Sequence, residues 1–246
     1  MRRAALGACA LLLAAGAAHA YIPSLSTLFR RAATKSDDVD RSRNVTLKGM
    51  LELEGKPAVA ASLILRFPLR CRLQTEAATG KGETPGALSV RGGPGATQVE
   101  NEGSSLAGAA ELLQLACPLL TYKAGGKGAG EKTLHGVLTA AGAADQPTTL
   151  ARLEERVVYV IGAQARQLDV PQLWLYKDEM APARLLSKHG GGLTDLRLLE
   201  YGNSAAASAF PRSIELWKDG KLAARFEALE AGGKRAKTST EDDDHD

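Results

Sequence analysis

Three places in the chain gather chemistry-bearing residues at suggestive spacing. Residues 125–133 read Gly-Gly-Lys-Gly-Ala-Gly-Glu-Lys-Thr. This is close to a glycine-rich loop that cradles phosphates with backbone N–H groups and a lysine. Glu131, however, separates Gly130 from Lys132, and the segment follows a helical pattern rather than a buried strand. Both departures break the cradle. Gly103-Ser104-Ser105-Leu106-Ala107 approaches a nucleophile elbow, but Ala107 stands where the second glycine is required and no strong strand precedes it. A helix start capped by Ser104 or Ser105 is the simpler reading. His135, His189 and His245 have no second His, Cys or carboxylate at metal-pair spacing. The acidic run 242–246 reads as a solvated tail. No general acid and base stand together, so the residues point away from an enzyme, a cofactor and a bound metal.

The first twenty residues read as an export signal. Arg2 and Arg3 precede an apolar stretch over 4–18, and Ala18-His19-Ala20 fits a small-x-small cleavage site, which places the mature start at Tyr21. The alternative takes Leu6-Gly7-Ala8-Cys9 as a lipidation motif with Cys9 as the anchor. Few apolar residues precede Cys9 and an unbroken apolar run follows it, which favours cleavage after Ala20. No later stretch is long and apolar enough for a spanning helix. Cleavage takes two of the 31 basic side chains and leaves 29 against 28 acidic ones. Such a balance argues against nucleic acid as partner. Cys71 and Cys117 remain. In an oxidising compartment they can pair, or they can be two separate buried thiols.

The elements around these residues are mostly strands. The chain has 246 residues, 44% hydrophobic and 24% charged, enough for one sizeable core or two small ones. Residues 156–230 organise it. Val157, Tyr159 and Ile161, then Leu173 and Leu175, Leu185, residues 193–201, Ile214 with Leu216, and Leu222 with Phe226 alternate with polar neighbours, the signature of half-buried strands. Gly190-Gly191-Gly192, Gly202-Asn203-Ser204 and Asp219-Gly220 break the runs, and Asp219-Gly220 suits a two-residue hairpin. Together they predict an antiparallel meander. A second strand block covers 44–76. Leu47, Leu51, Leu63, Leu65, Phe67, Cys71 and Leu73 fall on one face and Arg66, Arg70 and Arg72 on the other, where a basic row most simply reads as a solvated sheet face.

Helical spacing is clearest over 104–122, where Leu106, Ala110, Leu113, Cys117 and Leu120 share a stripe and Pro118 should bend the helix. If this helix covers the concave side of the sheet, Cys117 faces Cys71. A short amphipathic helix is expected over 21–34 and a charged, solvated connector over 35–43. Loops are expected over 77–86, 92–103 and 123–132, a strand over 87–91, another over 133–140, and a helical turn over 148–155. The tail from 232 to 246 reads as disordered.

This order of elements resembles the periplasmic outer-membrane lipoprotein carriers and receptors of the LolA/LolB type, as a diverged member. The resemblance rests on residues 45–54 with 63–73, on the step from Phe67-Pro68 into an Arg-rich strand, on 157–162, and on 173–178 running into 182–186. It spans most of 21–231. It implies a mainly β, α+β fold: a curved antiparallel sheet forming an unclosed half-barrel, covered on its concave side by helices. It further implies one domain over 21–231, a periplasmic monomer, and a cavity for lipoprotein acyl chains or other lipid. The residues it would line that cavity with are Leu47, Leu51, Leu63, Leu65, Phe67, Leu73, Tyr159, Ile161, Leu173 and Leu175. The alternative is the same scaffold with a filled core, binding envelope proteins. Family carriers latch the lid with an arginine, for which Arg66, Arg70 and Arg72 compete here.

Overall fold

The computed structural model describes residues 22–37, 39–41, 44–76, 86–94, 97–102, 104–189 and 192–232. The expected export signal (1–20), its alternative anchor Cys9 and the tail beyond 232 lie outside the described residues.

The strands are β1 (Val45–Leu53), β2 (Val59–Arg66), β3 (Arg70–Thr75), β4 (Ala87–Arg91), β5 (Gln98–Glu102), β6 (Thr148–Leu153), β7 (Arg156–Ile161), β8 (Gln172–Tyr176), β9 (Pro182–His189), β10 (Gly192–Leu199), β11 (Ser213–Lys218) and β12 (Lys221–Gly232). They form one twelve-stranded sheet in the order β5-β4-β3-β2-β1-β12-β11-β10-β9-β8-β7-β6. Every neighbour pair is antiparallel, and all but β1–β12 are consecutive in the chain. The sheet is not closed: β5 and β6 are its two edges. Asp219 and Gly220 both take positive φ (49° and 76°), as a tight hairpin needs.

The β1–β12 seam joins the two strand blocks. Its register shifts between Lys48 and Gly49. A Cβ on Gly49 would stand 1.9 Å from the Glu227 carbonyl oxygen, so only glycine admits this approach of the two backbones.

Three α-helices are described: α1 (Leu25–Thr34), α2 (Ala110–Thr121) and α3 (Ala129–Ala140). Ser24 caps α1, its hydroxyl accepting from the Thr27 N–H. Leu28, Phe29 and Ala32 form the buried face. Helix α2 touches β2, β3, β4 and β5 on one side and β10 and β11 on the other, so the sheet wraps around it as an unclosed half-barrel with helices on its concave side. Helix α3 packs on α1 and α2. A Cβ on Gly130 would meet the Tyr122 carbonyl oxygen at 2.7 Å and Ala33 at 2.9 Å, which explains the glycine at this three-way contact.

Several local expectations are corrected. Residues 98–102 form edge strand β5, not loop. Residues 129–140 form α3, not loop and strand: Gly130, Leu134, Val137 and Leu138 fall on one helical face, and this burial overrides the β-branched residues. Residues 148–153 form strand β6, not a helical turn. A 3-10 turn over Ser104–Ala109 precedes α2, whose N-cap is Ala109 without a side-chain bond, and the helix runs on through Pro118 to Thr121. A second, smaller apolar cluster on β7–β9 joins Val158, Val160, Trp174, Tyr176 and Ala183, with Ala165 packed on it. Strands β7 and β8 are thus buried on both faces, which simple alternation does not reveal.

Candidate functional site

The ten apolar positions come together. Leu47, Leu51, Leu63, Leu65, Leu73, Ile161, Leu173 and Leu175 are at most 2% exposed and Tyr159 is 6% exposed, all within one core. Phe67, in the β2–β3 turn, is half-buried against the same core and lies 6.4 Å from the Phe210 ring. Leu112, Leu113, Leu119 and Leu120 of α2 belong to that core too. The leucines of α2 therefore fill the hollow of the sheet.

Cys71 of β3 and Cys117 of α2 form a disulfide, with Cα atoms 5.8 Å apart. Both are buried, at 2% and 0% exposure. The bond fixes α2 covalently to the sheet; α1 is held by noncovalent contacts.

Besides its apolar face, α1 is held by polar contacts that surround a cleft of about 410 Å³ lined among others by Lys35, Asp37, Lys123, Asp178, Glu179 and Tyr201. Asp37, just after α1, accepts from Arg41 Nη1 at 2.6 Å and Nη2 at 2.5 Å and from Lys123 Nζ at 2.8 Å. Lys123, just after α2, also donates to the Lys35 carbonyl oxygen at 3.1 Å. Lys35 Nζ donates to the Asp178 carbonyl oxygen in the β8–β9 turn. The Tyr122 hydroxyl lies 3.3 Å from the carbonyl oxygens of both Ala32 and Met180, and shares its proton between α1 and the same turn. The connector expected to be solvated is thus half-buried around Asp37, because its charges meet partners brought from 80 or more residues away.

The electrostatics follow from burial and pairing. Burial by itself pushes the Asp37 carboxyl up, but the hydrogen bonds from Arg41 and Lys123 outweigh it and hold the group below its ordinary 3.8. Burial pushes the Tyr122 and Tyr201 hydroxyls far above their usual range and Tyr176 up to about 12. These groups move away from neutrality, the reverse of what a general acid or base requires.

The other sequence candidates fall elsewhere. The glycine-rich segment 125–133 enters α3 with Gly128 at positive φ, and Lys132 is exposed on the helix, so no phosphate cradle forms. His135 stands 3.7 Å from Asp145 with both side chains more than half exposed. Among the described residues no three His, Cys, Asp or Glu side chains converge as a metal site would require. None of Arg66, Arg70 and Arg72 reaches the cover: they lie on the convex face, the first two exposed and Arg72 donating to Ser89 at 3.3 Å. The arginine at the cover is Arg41, whose guanidinium lies 5.9 Å from the Phe67 ring centre. Sequence reasoning missed Asp37, Arg41, Tyr122 and Lys123, because a short charged connector and a residue before a glycine loop carry no periodic signal.

No family model and no curated protein matches the chain. The chain is similar in structure to several solved proteins. One is a LolA superfamily protein from Nitrosomonas europaea, at 10% identity over 87% of this chain and 96% of that one, with a TM-score of 0.43. Another is a putative outer membrane lipoprotein-sorting protein domain from Vibrio parahaemolyticus, at 11% identity over 89% and 94%, with a TM-score of 0.48. A third is the MucA/MucB complex of Pseudomonas aeruginosa, at 13% identity over 87% of this chain and 58% of that one, with a TM-score of 0.29. Such likeness concerns the arrangement of the chain and says nothing of what it binds. No helix among the described residues is long and apolar enough to cross a membrane.

Proposed function

We propose that this chain is an exported, periplasmic, non-enzymatic binder of acyl chains, carried by a lipoprotein or another lipid. One observation supports it above the rest: the leucine-lined hollow of an open sheet is covered by helices, and one of them, α1, is held by the apolar face of Leu28, Phe29 and Ala32 and by the polar contacts around Lys35, Asp37 and Tyr122. Acyl chains would enter where α1 lifts, with Phe67 at the margin and Leu47, Leu51, Leu63, Leu65, Leu73, Tyr159, Ile161, Leu173 and Leu175 as the surface beneath. Burying an acyl chain gains about 0.8 kcal/mol per CH₂. That is enough to offset the loss of a few ion-paired hydrogen bonds.

A second reading has its own support. The disulfide fixes α2, and the leucines of α2 already fill the hollow, as suits a non-catalytic envelope interaction module with a dry core. Titrating the oxidised mature protein with an environment-sensitive fluorescent fatty acid, beside native mass spectrometry of protein from its own periplasm, separates the two. Saturable binding with co-purifying acylated masses supports the carrier. Absence of both, before and after reduction of Cys71–Cys117, removes it in favour of the module.

A further inference from the structure

On the convex face many charges of the described residues meet an opposite charge on the same or a neighbouring strand. Lys48 of β1 faces Glu230 of β12, and Glu52 faces Arg225 and accepts from it at 2.6 Å. Glu215 of β11 faces both Arg225 and Arg197. Arg184 and Arg197 converge on Asp195 at 2.7 and 2.8 Å. At the other end of the same face, Arg66 of β2 sits opposite Arg70 of β3, and Arg70 sits opposite Arg91 of β4. All three are exposed. The row continues into Gln98 of β5, so no acid stands in it. Directly opposed like charges destabilise a sheet. Arg184, Arg197 and Arg225 thus meet carboxylates and Arg72 donates to Ser89, whereas Arg66, Arg70 and Arg91 stand opposite one another, a row suited to an external anion.

We propose that the Arg66–Arg70–Arg91 row is a docking surface for the phosphates of an anionic lipid bilayer. Adjacent strands lie about 4.8 Å apart, so the three arginines stem from neighbouring points in a short row across the convex face. Each can take a phosphate oxygen pair bidentately, which arginine does better than lysine. The row lies on the convex back of the sheet, where a continuous array of phosphates can touch its crest and a narrow peptide finds no strand edge to pair with. Exposed Pro68, in the β2–β3 turn beside it, supplies apolar atoms at headgroup depth. The surface lies on the opposite face from the apolar hollow, so this proposal stands or falls independently of what the hollow holds.

The test is co-sedimentation of the purified mature protein with vesicles of equimolar phosphatidylglycerol and phosphatidylcholine, against vesicles of phosphatidylcholine alone. The wild type is expected to bind only the anionic vesicles and to be released by high salt. Each arginine near such a surface contributes roughly fivefold in affinity, so Arg66→Gln/Arg70→Gln/Arg91→Gln together should weaken binding by about a hundredfold. Because the substitutions remove like-charge opposition, thermal stability should hold or rise, which separates lost docking from lost folding. Arg225→Gln, an arginine paired on the same face, should leave binding within about twofold if only unpaired charge counts. Wild-type indifference to phosphatidylglycerol, or a triple variant that binds as before, overturns the proposal. So does selective binding of an acidic peptide with no vesicle binding.

Discussion

Lys123 donates to Asp37 across 2.8 Å, linking the end of α2 to the connector that follows α1. The two residues are 86 positions apart, and Arg41 completes the carboxylate from its other side. Helix α2 is anchored to the sheet by the disulfide, so this contact ties the free helix to the fixed one. Asp37→Asn should loosen α1 without unfolding the sheet. Hydrogen bonds to charged groups are worth roughly 1.5–3 kcal/mol. Amide exchange over Leu25–Thr34 should therefore quicken by about tenfold or more, while strands β9–β11 keep wild-type protection. Equal acceleration in helix and strands would show that the contact serves global stability instead.

The pH dependence of that latch follows from its sign. The Asp37 carboxyl is held below 3.8 in the folded chain. Its contribution is fully present above the unfolded value and is lost as pH falls through the lower folded value. Mild acid should leave α1 closed. Exchange in α1, measured from neutrality downward, should show an Asp37-dependent rise only below about pH 4, and the Asn variant should lack that rise. An Asp37-dependent opening near pH 6 would contradict the pairing seen here.

Much of the sheet was legible because strands with one wet face advertise themselves. Leu47, Leu51, Leu63 and Leu65 alternate cleanly, and the stripe through Leu113, Cys117 and Leu120 put Cys117 on the helix face that meets Cys71 if the helix covers the concave side. The failures were at the margins. Strand β5 offers only Val99 among Gln98, Glu100, Asn101 and Glu102, since an edge strand avoids apolar exposure. Helix α3 was masked by Thr133, Val137 and Thr139, although Leu134 and Leu138 keep helical spacing. The polar latch was invisible because it is made of single residues whose meeting depends on the tertiary fold. The ten apolar positions were readable as a shared face, but pattern alone does not distinguish a face that packs on α2 from one that opens to a ligand.

The disulfide should be a main support of the fold. It closes a separation of 46 residues between Cys71 and Cys117. In the chain-entropy model a loop of that size stabilises the folded state by about 4 kcal/mol. The Cys71→Ala/Cys117→Ala protein should lose an amount of this order in denaturant unfolding. A loss under about 1 kcal/mol would mean that the noncovalent contacts of α2 alone set its position.

Gly49→Ala should be among the costliest small substitutions in the chain. Its new Cβ would meet the Glu227 carbonyl oxygen at 1.9 Å, at the one seam where β1 joins β12. Overpacking against backbone costs typically about 1–3 kcal/mol and more where neither strand can move. Gly192→Ala is the matched control. Nothing lies within 4 Å of its Cβ, so its effect should stay within about 0.5 kcal/mol. Comparable midpoints for the two variants would refute the close approach at the seam.

Asp195 is the hub of the paired half of the convex face. It accepts from Arg184 Nε and Nη2 at 2.7 Å each, and from Arg197 Nε at 3.0 Å and Nη2 at 2.8 Å. Arg184 is only 9% exposed and lies 5.0 Å from the Trp174 ring centre, and Arg197 lies 4.6 Å from that of Trp217. Removing the carboxylate strands a nearly buried guanidinium, which costs about 3–5 kcal/mol when no partner replaces it. Asp195→Ala should show a loss of that order. Adding Arg184→Met should recover a large part of it, because methionine fills similar volume against Trp174 without a charge to satisfy. If the double variant is as unstable as the sum of the two single ones, Arg184 and Asp195 are not coupled, and Asp195 acts through Arg197 alone.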